Sequence, residues 1–197
     1  MWVRGAAIRP VPRYAVVGKA TLEEIESELA DDSPRAQGEL DGAFVRFEST
    51  QPHLADAISL VLSKPLDQTA LALGYFLSIA IWLAFERTFG EARLRQVSRD
   101  ALTATDEAIK LEEQLRAAHG YDPLDLDDVV SIEQPNVLAF VHEHVDAALT
   151  TNEDGGGREV DVDDVHAVYR AIVLLTLCLS HAVVPVDGAA RGNELIA

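Results

Sequence analysis

Along most of this chain, apolar residues recur every three or four positions, the period of a helix with one buried face. One stretch departs from that pattern by being apolar on every face. From Gln68 to Phe85, eighteen consecutive residues carry no formal charge, fenced by Asp67 on one side and Glu86-Arg87 on the other. At helical rise the stretch is about 27 Å long, which puts it on the line between a buried core helix and a membrane span. Ala70, Gly74 and Ser78 fall four apart and give it a small-residue face that a second helix can approach closely. The neighbouring segments each have an apolar stripe in need of a partner, so the stretch predicts the central helix of a soluble bundle.

The other elements follow in order. Residues 1–20, with Pro10 and Pro12, predict an extended arm carrying one short strand at Tyr14–Val17. Thr21 and Glu24 match a capping box and open a short helix toward Ala30. Ser33 and Pro34 open the next, running toward Glu48. Leu54, Ala57, Ile58, Val61 and Leu62 mark a helix after Gln51-Pro52, and Asp67 caps the central helix, which ends near Gly90. Leu94, Val97, Ala101, Ala104, Ala108, Leu111, Leu115 and Ala118 form a 3-4-3-4 series, predicting a long helix packed through a narrow seam. Tyr121–Val130 predicts an acidic connector, Pro135 opens a helix through Leu149, and Thr150–Glu159 predicts a loop. Asp161 or Asp163 caps a last helix that stops before Pro185.

Part of this pattern occurs twice. Gln51-Pro52 and Gln134-Pro135 lie 83 residues apart, and Leu54, Ile58, Val61 and Leu62 align with Val137, Val141, His144 and Val145 at that offset. After a longer loop, Leu73, Tyr75, Ile79, Ile81, Leu83 and Phe85 match Ala167, Tyr169, Val173, Leu175, Leu177 and Leu179 at an offset of 94. The expectation is an all-α, single-domain bundle of six or seven helices built on an internally duplicated helical hairpin. An extended basic arm (1–20) precedes the bundle (21–185). Within it, hairpin unit 51–90 and hairpin unit 134–185 are joined by a connecting helix, 91–119, and a flexible tail, 186–197, follows. The two long helices should cross about a pseudo-twofold.

Charge alters this picture more than composition does. The net charge is −17, which argues against nucleic acid or an anionic membrane surface as the main partner. Residues 120–164 hold thirteen carboxylates against Arg158, whereas residues 1–21 hold Arg4, Arg9, Arg13 and Lys19 and no acid. The N-terminal residues lack the apolar core of a signal peptide, so the cytoplasm is the expected compartment.

Candidate chemistry is sparse. His142 and His144 are two apart on a helix and point roughly 200° from one another, which prevents them from sharing an ion. Asp163 and His166 have workable spacing but no matching ligands near Ala72 in the first unit. Cys178 sits in an apolar run with no nearby cation to lower its pKa. Neither a phosphate-binding loop, a calcium loop nor a nucleophile elbow occurs. Catalytic residues, metal ligands and cofactors are therefore expected to be none. The leading expectation is a non-enzymatic interaction or assembly protein that binds a protein partner or itself through its basic arm and acidic face. A ligand- or metal-binding bundle with a pocket near Tyr75, Tyr169, Trp82, Cys178 and His181 is the alternative. A membrane-inserting protein using 68–85 and 171–184 is the third.

Overall fold

The computed structural model describes residues 8–29, 34–118, 134–150 and 161–186. Regular structure among them is helical, as the pattern predicts: α1 (Lys19–Leu29), α2 (Pro34–Thr50), α3 (Pro52–Leu62), α4 (Gln68–Arg93), α5 (Arg99–Ala118), α6 (Pro135–Thr150) and α7 (Val162–Ala182). A single 3-10 turn, Arg13–Ala15, replaces the strand expected at Tyr14–Val17. The acidic connector, the loop after Thr150, the Ser33 cap, Arg4, Arg158 and nearly all of the tail lie outside the described residues.

The all-round apolar stretch becomes the buried centre. Leu77, Ala80, Ile81, Ala84 and Phe85 of α4 are completely enclosed and Trp82 almost so. Asp67 starts the helix as expected, its Oδ1 accepting from the N–H groups of Thr69 and Ala70 at 2.7 and 3.0 Å. Gly90 interrupts it with φ 64° and ψ 171°, a conformation that suits glycine, and one further turn carries the chain to Arg93.

α7 is the second central helix, with residues 171–180 buried without a break. It lies parallel to α4, because both pairs of ends are tied together. At the start, the Asp67 N–H donates to Asp164 Oδ2 (2.7 Å) and the Asp161 N–H to Asp67 Oδ2 (3.2 Å). At the far end, Leu94 and Val183 form an antiparallel bridge, flanked by bonds from Val184 N–H to the Arg93 carbonyl (2.8 Å) and from Arg95 N–H to the Ala182 carbonyl (3.1 Å). Between these ties the two helices press together at Gly74. A Cβ there would stand 2.5 Å from Leu62 Cδ2 of α3 and 3.3 Å from Val168 Cγ2 of α7, so a larger residue would displace the Leu62 side chain and crowd Val168.

The remaining helices wrap this pair: α1, α2 and α6 pack on α4, and α3, α5 and α6 on α7. The buried hydrophobic side chains form one cluster. α2 seals α4 by setting Phe47 against Trp82, ring centroids 5.6 Å apart, while Arg46 lies over the same indole and pairs with Glu86.

Three local expectations are corrected. α1 begins at Lys19, so Thr21 is already inside the helix and no capping box forms. The chain is extended at Leu94–Ser98, so the connecting helix starts at Arg99 rather than 91. The α5 seam is turned outward: Ala101, Ala104, Leu111, Leu115 and Ala118 are exposed. What α5 presents to the core is Ile109, with Leu102, Thr105, Asp106 and Glu113 half-buried around it. Arg170 of α7 explains that orientation. Its Nε donates to Glu113 Oε1 and its Nη2 to Asp106 Oδ1, both at 2.9 Å. An apolar-periodicity reading gives these carboxylates no weight, although they fix the helix rotation.

Candidate functional site

Two buried glutamines do in this fold what the sequence pattern does not foretell. Gln51 and Gln134 are almost wholly enclosed, which is unusual for glutamine, and each immediately precedes the proline that starts a helix. Gln51 Oε1 accepts from the Val97 N–H at 2.9 Å and its Nε2 donates to the Arg95 carbonyl at 3.0 Å. Gln134 Oε1 accepts from the Val17 N–H at 3.2 Å and its Nε2 donates to the Ala15 carbonyl at 2.7 Å. In both cases one side-chain amide grips the carbonyl of one residue and the N–H of the residue two further on, an edge-on clamp on the backbone. In both, the clamped segment enters a helix two residues later, α5 or α1. Asn136 Nδ2 extends the second clamp to the Val17 carbonyl at 2.8 Å, and Gln134 Nε2 also reaches Ser180 Oγ at 2.9 Å. The repeated Gln-Pro pair is legible in the sequence as two helix starts; the grip of its side chains on distant backbone is not.

The second clamp fastens the described part of the N-terminal arm. Ile8, Val11, Ala15 and Val17 are buried. Arg93 Nη2 donates to the Tyr14 carbonyl at 3.3 Å, and His181 Nε2 to the Arg9 carbonyl at 3.1 Å. The arm is thus held by apolar side chains and backbone groups, and Arg9 and Arg13 stay exposed.

The five residues of the alternative pocket face four different elements. Tyr75 and Trp82 turn to α2, with Tyr75 beside Phe44. Tyr169 meets His142 of α6, 3.3 Å from its Nε2. His181 serves the arm. Cys178 faces α5, and burial pushes its thiol up to about 11 against the opposing pull of a hydrogen bond with Thr105, a setting that suppresses the nucleophilic thiolate. Two concavities lie elsewhere: an open groove between α4 and α6 along Gln68, Ala72 and Phe76, and a cleft of about 120 Å³ between α3 and α7 near Lys64 and Arg170. Both are lined mainly by apolar side chains, and Arg170 is already bound by two carboxylates.

His142 and His144 diverge, as their spacing requires. His144 Nδ1 donates to the Phe140 carbonyl at 2.8 Å, and its Nε2 lies 3.4 Å from Glu26 Oε1 of α1. Among the described residues, no three His, Cys, Asp or Glu side chains converge on a point that could hold a metal.

The parallel arrangement of α4 and α7 sorts charge along the bundle. Asp67, Asp161, Asp163 and Asp164 gather where both helices begin, complementing the positive ends of two aligned helix dipoles. At the opposite end, Arg93 Nη2 on the Tyr14 carbonyl and His181 Nε2 on the Arg9 carbonyl hold the segment with Arg9 and Arg13 beside the ends of α4 and α7, where Arg93 and Arg95 also lie, and Lys19 and Arg99 open α1 and α5 two residues beyond the two clamps. Arg93 caps carbonyls there and Lys19 pairs with Glu23. Arg9, Arg13, Arg95 and Arg99 are exposed and form no ion pair among the described residues.

α4 and α7 are each long and apolar enough to cross a membrane, judged by length and composition, with about 67% and 72% of their most apolar windows buried inside the fold. Compared with protein-family models, curated proteins and solved structures, the chain matches none of them.

Proposed function

We propose that the chain is a cytoplasmic interaction or assembly protein, without enzymatic activity, that meets an acidic protein surface through the basic end of its bundle. The observation that carries this reading is the set of four uncommitted arginines, Arg9, Arg13, Arg95 and Arg99, at one end of a molecule whose net charge is −17. Helix-end electrostatics accounts for Asp67, Asp161 and Arg93. It does not call for four more cations on the extended segments and a helix start, where each stands against the overall charge. A protein surface rich in carboxylates fits this end; nucleic acid and anionic membranes are repelled by the remainder of the molecule.

The body that presents this end reads as one domain made by internal duplication. The matched Gln-Pro starts, the aspartates 94 residues apart that begin α4 and α7, and the two amide clamps all support that reading. Under it, α3–α4 and α6–α7 are equivalent hairpins, α1 and α5 are equivalent lead helices, and each glutamine reaches across to the lead segment of the other half. The pseudo-axis runs along α4 and α7, near Gly74 and its counterpart Val168.

The test is sedimentation of the full chain at low and high salt, alone and with a fluorescent poly-glutamate peptide as probe. The wild type should self-associate or bind the peptide at low salt and lose this at high salt. Replacing the four arginines with glutamine should abolish the effect without changing helical content. A wild type that stays monomeric and ignores the peptide at every salt level would overturn the reading.

A further inference from the structure

The cleft between α3 and α7 has a counterpart in the other half of the chain, and the two are filled differently. The comparison rests on the duplication proposed above, in which α3 answers to α6, 83 positions on, and α7 to α4, 94 positions back. In the α4–α6 pair, Phe76 and Phe140 meet with ring centroids 6.1 Å apart, and the His144 ring lies 4.8 and 4.3 Å from them. The open groove of that pair lies on the Gln68 side of these rings.

In the α3–α7 pair the matching positions hold Arg170, Ala57 and Val61. The Arg170 guanidinium is drawn to Asp106 and Glu113 of α5. Ala167 and Ala171 stand where the other half has Leu73 and Leu77, and Leu174, which answers to Ala80, restores part of that volume. A cleft of about 120 Å³ remains among the described residues. It has the place and the approximate size of a missing aromatic ring.

The walls define what enters. Leu54, Ile58, Ala171 and Leu175 form its buried, apolar side. An apolar cavity of about 150 Å³ stays dry and takes up one benzene ring, whereas drug-sized ligands need about 300 Å³ or more. Arg170 is part of the lining, and a guanidinium attracts an aromatic face, which favours an aromatic over a saturated ring. An ionised ligand is disfavoured, because a buried charge needs a partner and Arg170 is already held by two carboxylates. Lys64 lies at the mouth, on the turn that leads to Asp67 and the acidic end of the bundle. We propose that the α3–α7 cleft binds a small uncharged ligand with a single aromatic ring, seated as Phe140 and Phe76 are in the other half, at a place separate from the arginine-rich end.

The experiment titrates the full chain with para-fluorobenzyl alcohol by fluorine NMR, with para-fluorobenzoate and a fluorinated naphthylmethanol as comparison probes. The benzyl alcohol should bind saturably and each comparison probe at least ten-fold more weakly. Cyclohexylmethanol should displace it only at several-fold higher concentration than unlabelled benzyl alcohol does. Ala57→Phe, which copies Phe140 into the cleft, should abolish binding and raise the melting midpoint. Ala167→Leu, which copies Leu73 from the opposite wall, should weaken binding at least ten-fold, and the four-arginine variant should bind as the wild type does. Absence of saturable binding, binding unchanged in both filled variants, or a preference for the benzoate or the naphthyl probe would overturn the proposal. If binding is absent while Ala57→Phe still raises the midpoint, the ligand site is refuted and the duplicated architecture stands. If both filled variants lower the midpoint, the two halves are not equivalent at this place, and the proposal falls with the duplication.

Discussion

Replacing Gln134 with leucine removes a clamp while keeping nearly the same side-chain volume. Three groups lose a partner: the Val17 N–H, the Ala15 carbonyl and Ser180 Oγ. Ser180 still donates to the Thr176 carbonyl at 2.7 Å, so its loss is small. Val17 and Ala15 are fully buried, and an unmet buried backbone group costs about 1–3 kcal/mol. If the arm stays in place, Gln134→Leu should therefore destabilise by roughly 2–6 kcal/mol. The arm has another course open to it. Burial of Ile8, Val11 and Val17 offsets only part of the entropy lost in ordering the backbone of residues 8–18, so the hydrogen bonds decide whether the arm is held. Loss of the clamp should set it free, capping the measured destabilisation while making the Arg13–Tyr14 bond a mobile trypsin site. Urea unfolding followed by circular dichroism gives the first quantity and limited proteolysis the second, with the exposed substitution Gln114→Leu as control. A midpoint equivalent to less than about 0.5 kcal/mol of change, together with unchanged cleavage after Arg13, would refute the reasoning.

Two further outcomes are expected. Gly74→Leu should destabilise by about 1–3 kcal/mol or more, because even a Cβ there meets Leu62 and Val168; a neutral effect in thermal unfolding would mean that α4 and α7 do not touch at that point. Asp106 concerns pH. Burial pushes its carboxyl upward, but hydrogen bonds from Lys110 and Arg170 outweigh this and hold it below the ordinary carboxylate range. Its stabilising contribution is thus present above about pH 4 and lost as pH falls through the depressed value. Asp106→Asn should lower stability at pH 7 by on the order of 1 kcal/mol, and the gap to wild type should close on the acid limb; a gap independent of pH would contradict the assignment.

The sequence makes some of this architecture legible because the physics involved is local. Asp67 and Asp161 cap helices through their own next residues, Gly90 breaks α4 by its own backbone freedom, and eighteen uncharged residues need enclosure whatever surrounds them. The parts that escape sequence reading depend on distant groups. The rotation of α5 is set by Arg170, far along the chain from Asp106 and Glu113, and a stripe of alanines and leucines gives no hint of carboxylates drawn inward. The arm looks loose because Pro10 and Pro12 exclude regular structure, whereas Gln134 and Asn136 supply its missing partners. The basic end is assembled from residues 9–19 and 93–99, two stretches that composition alone does not join.

The Gln134 clamp also bears on how the protein is made. Its bond to Val17 closes a loop of 117 positions. During synthesis at about 5–20 residues per second, some 6–23 seconds separate the emergence of Val17 from that of Gln134. Over that interval Ile8, Val11, Ala15 and Val17 lack the surface that later covers them, so a segment made well before Gln134 waits for its place. A nascent chain halted before Gln134 should therefore display an apolar N-terminal segment to trigger-type chaperones, and a chain released beyond Val184 should not.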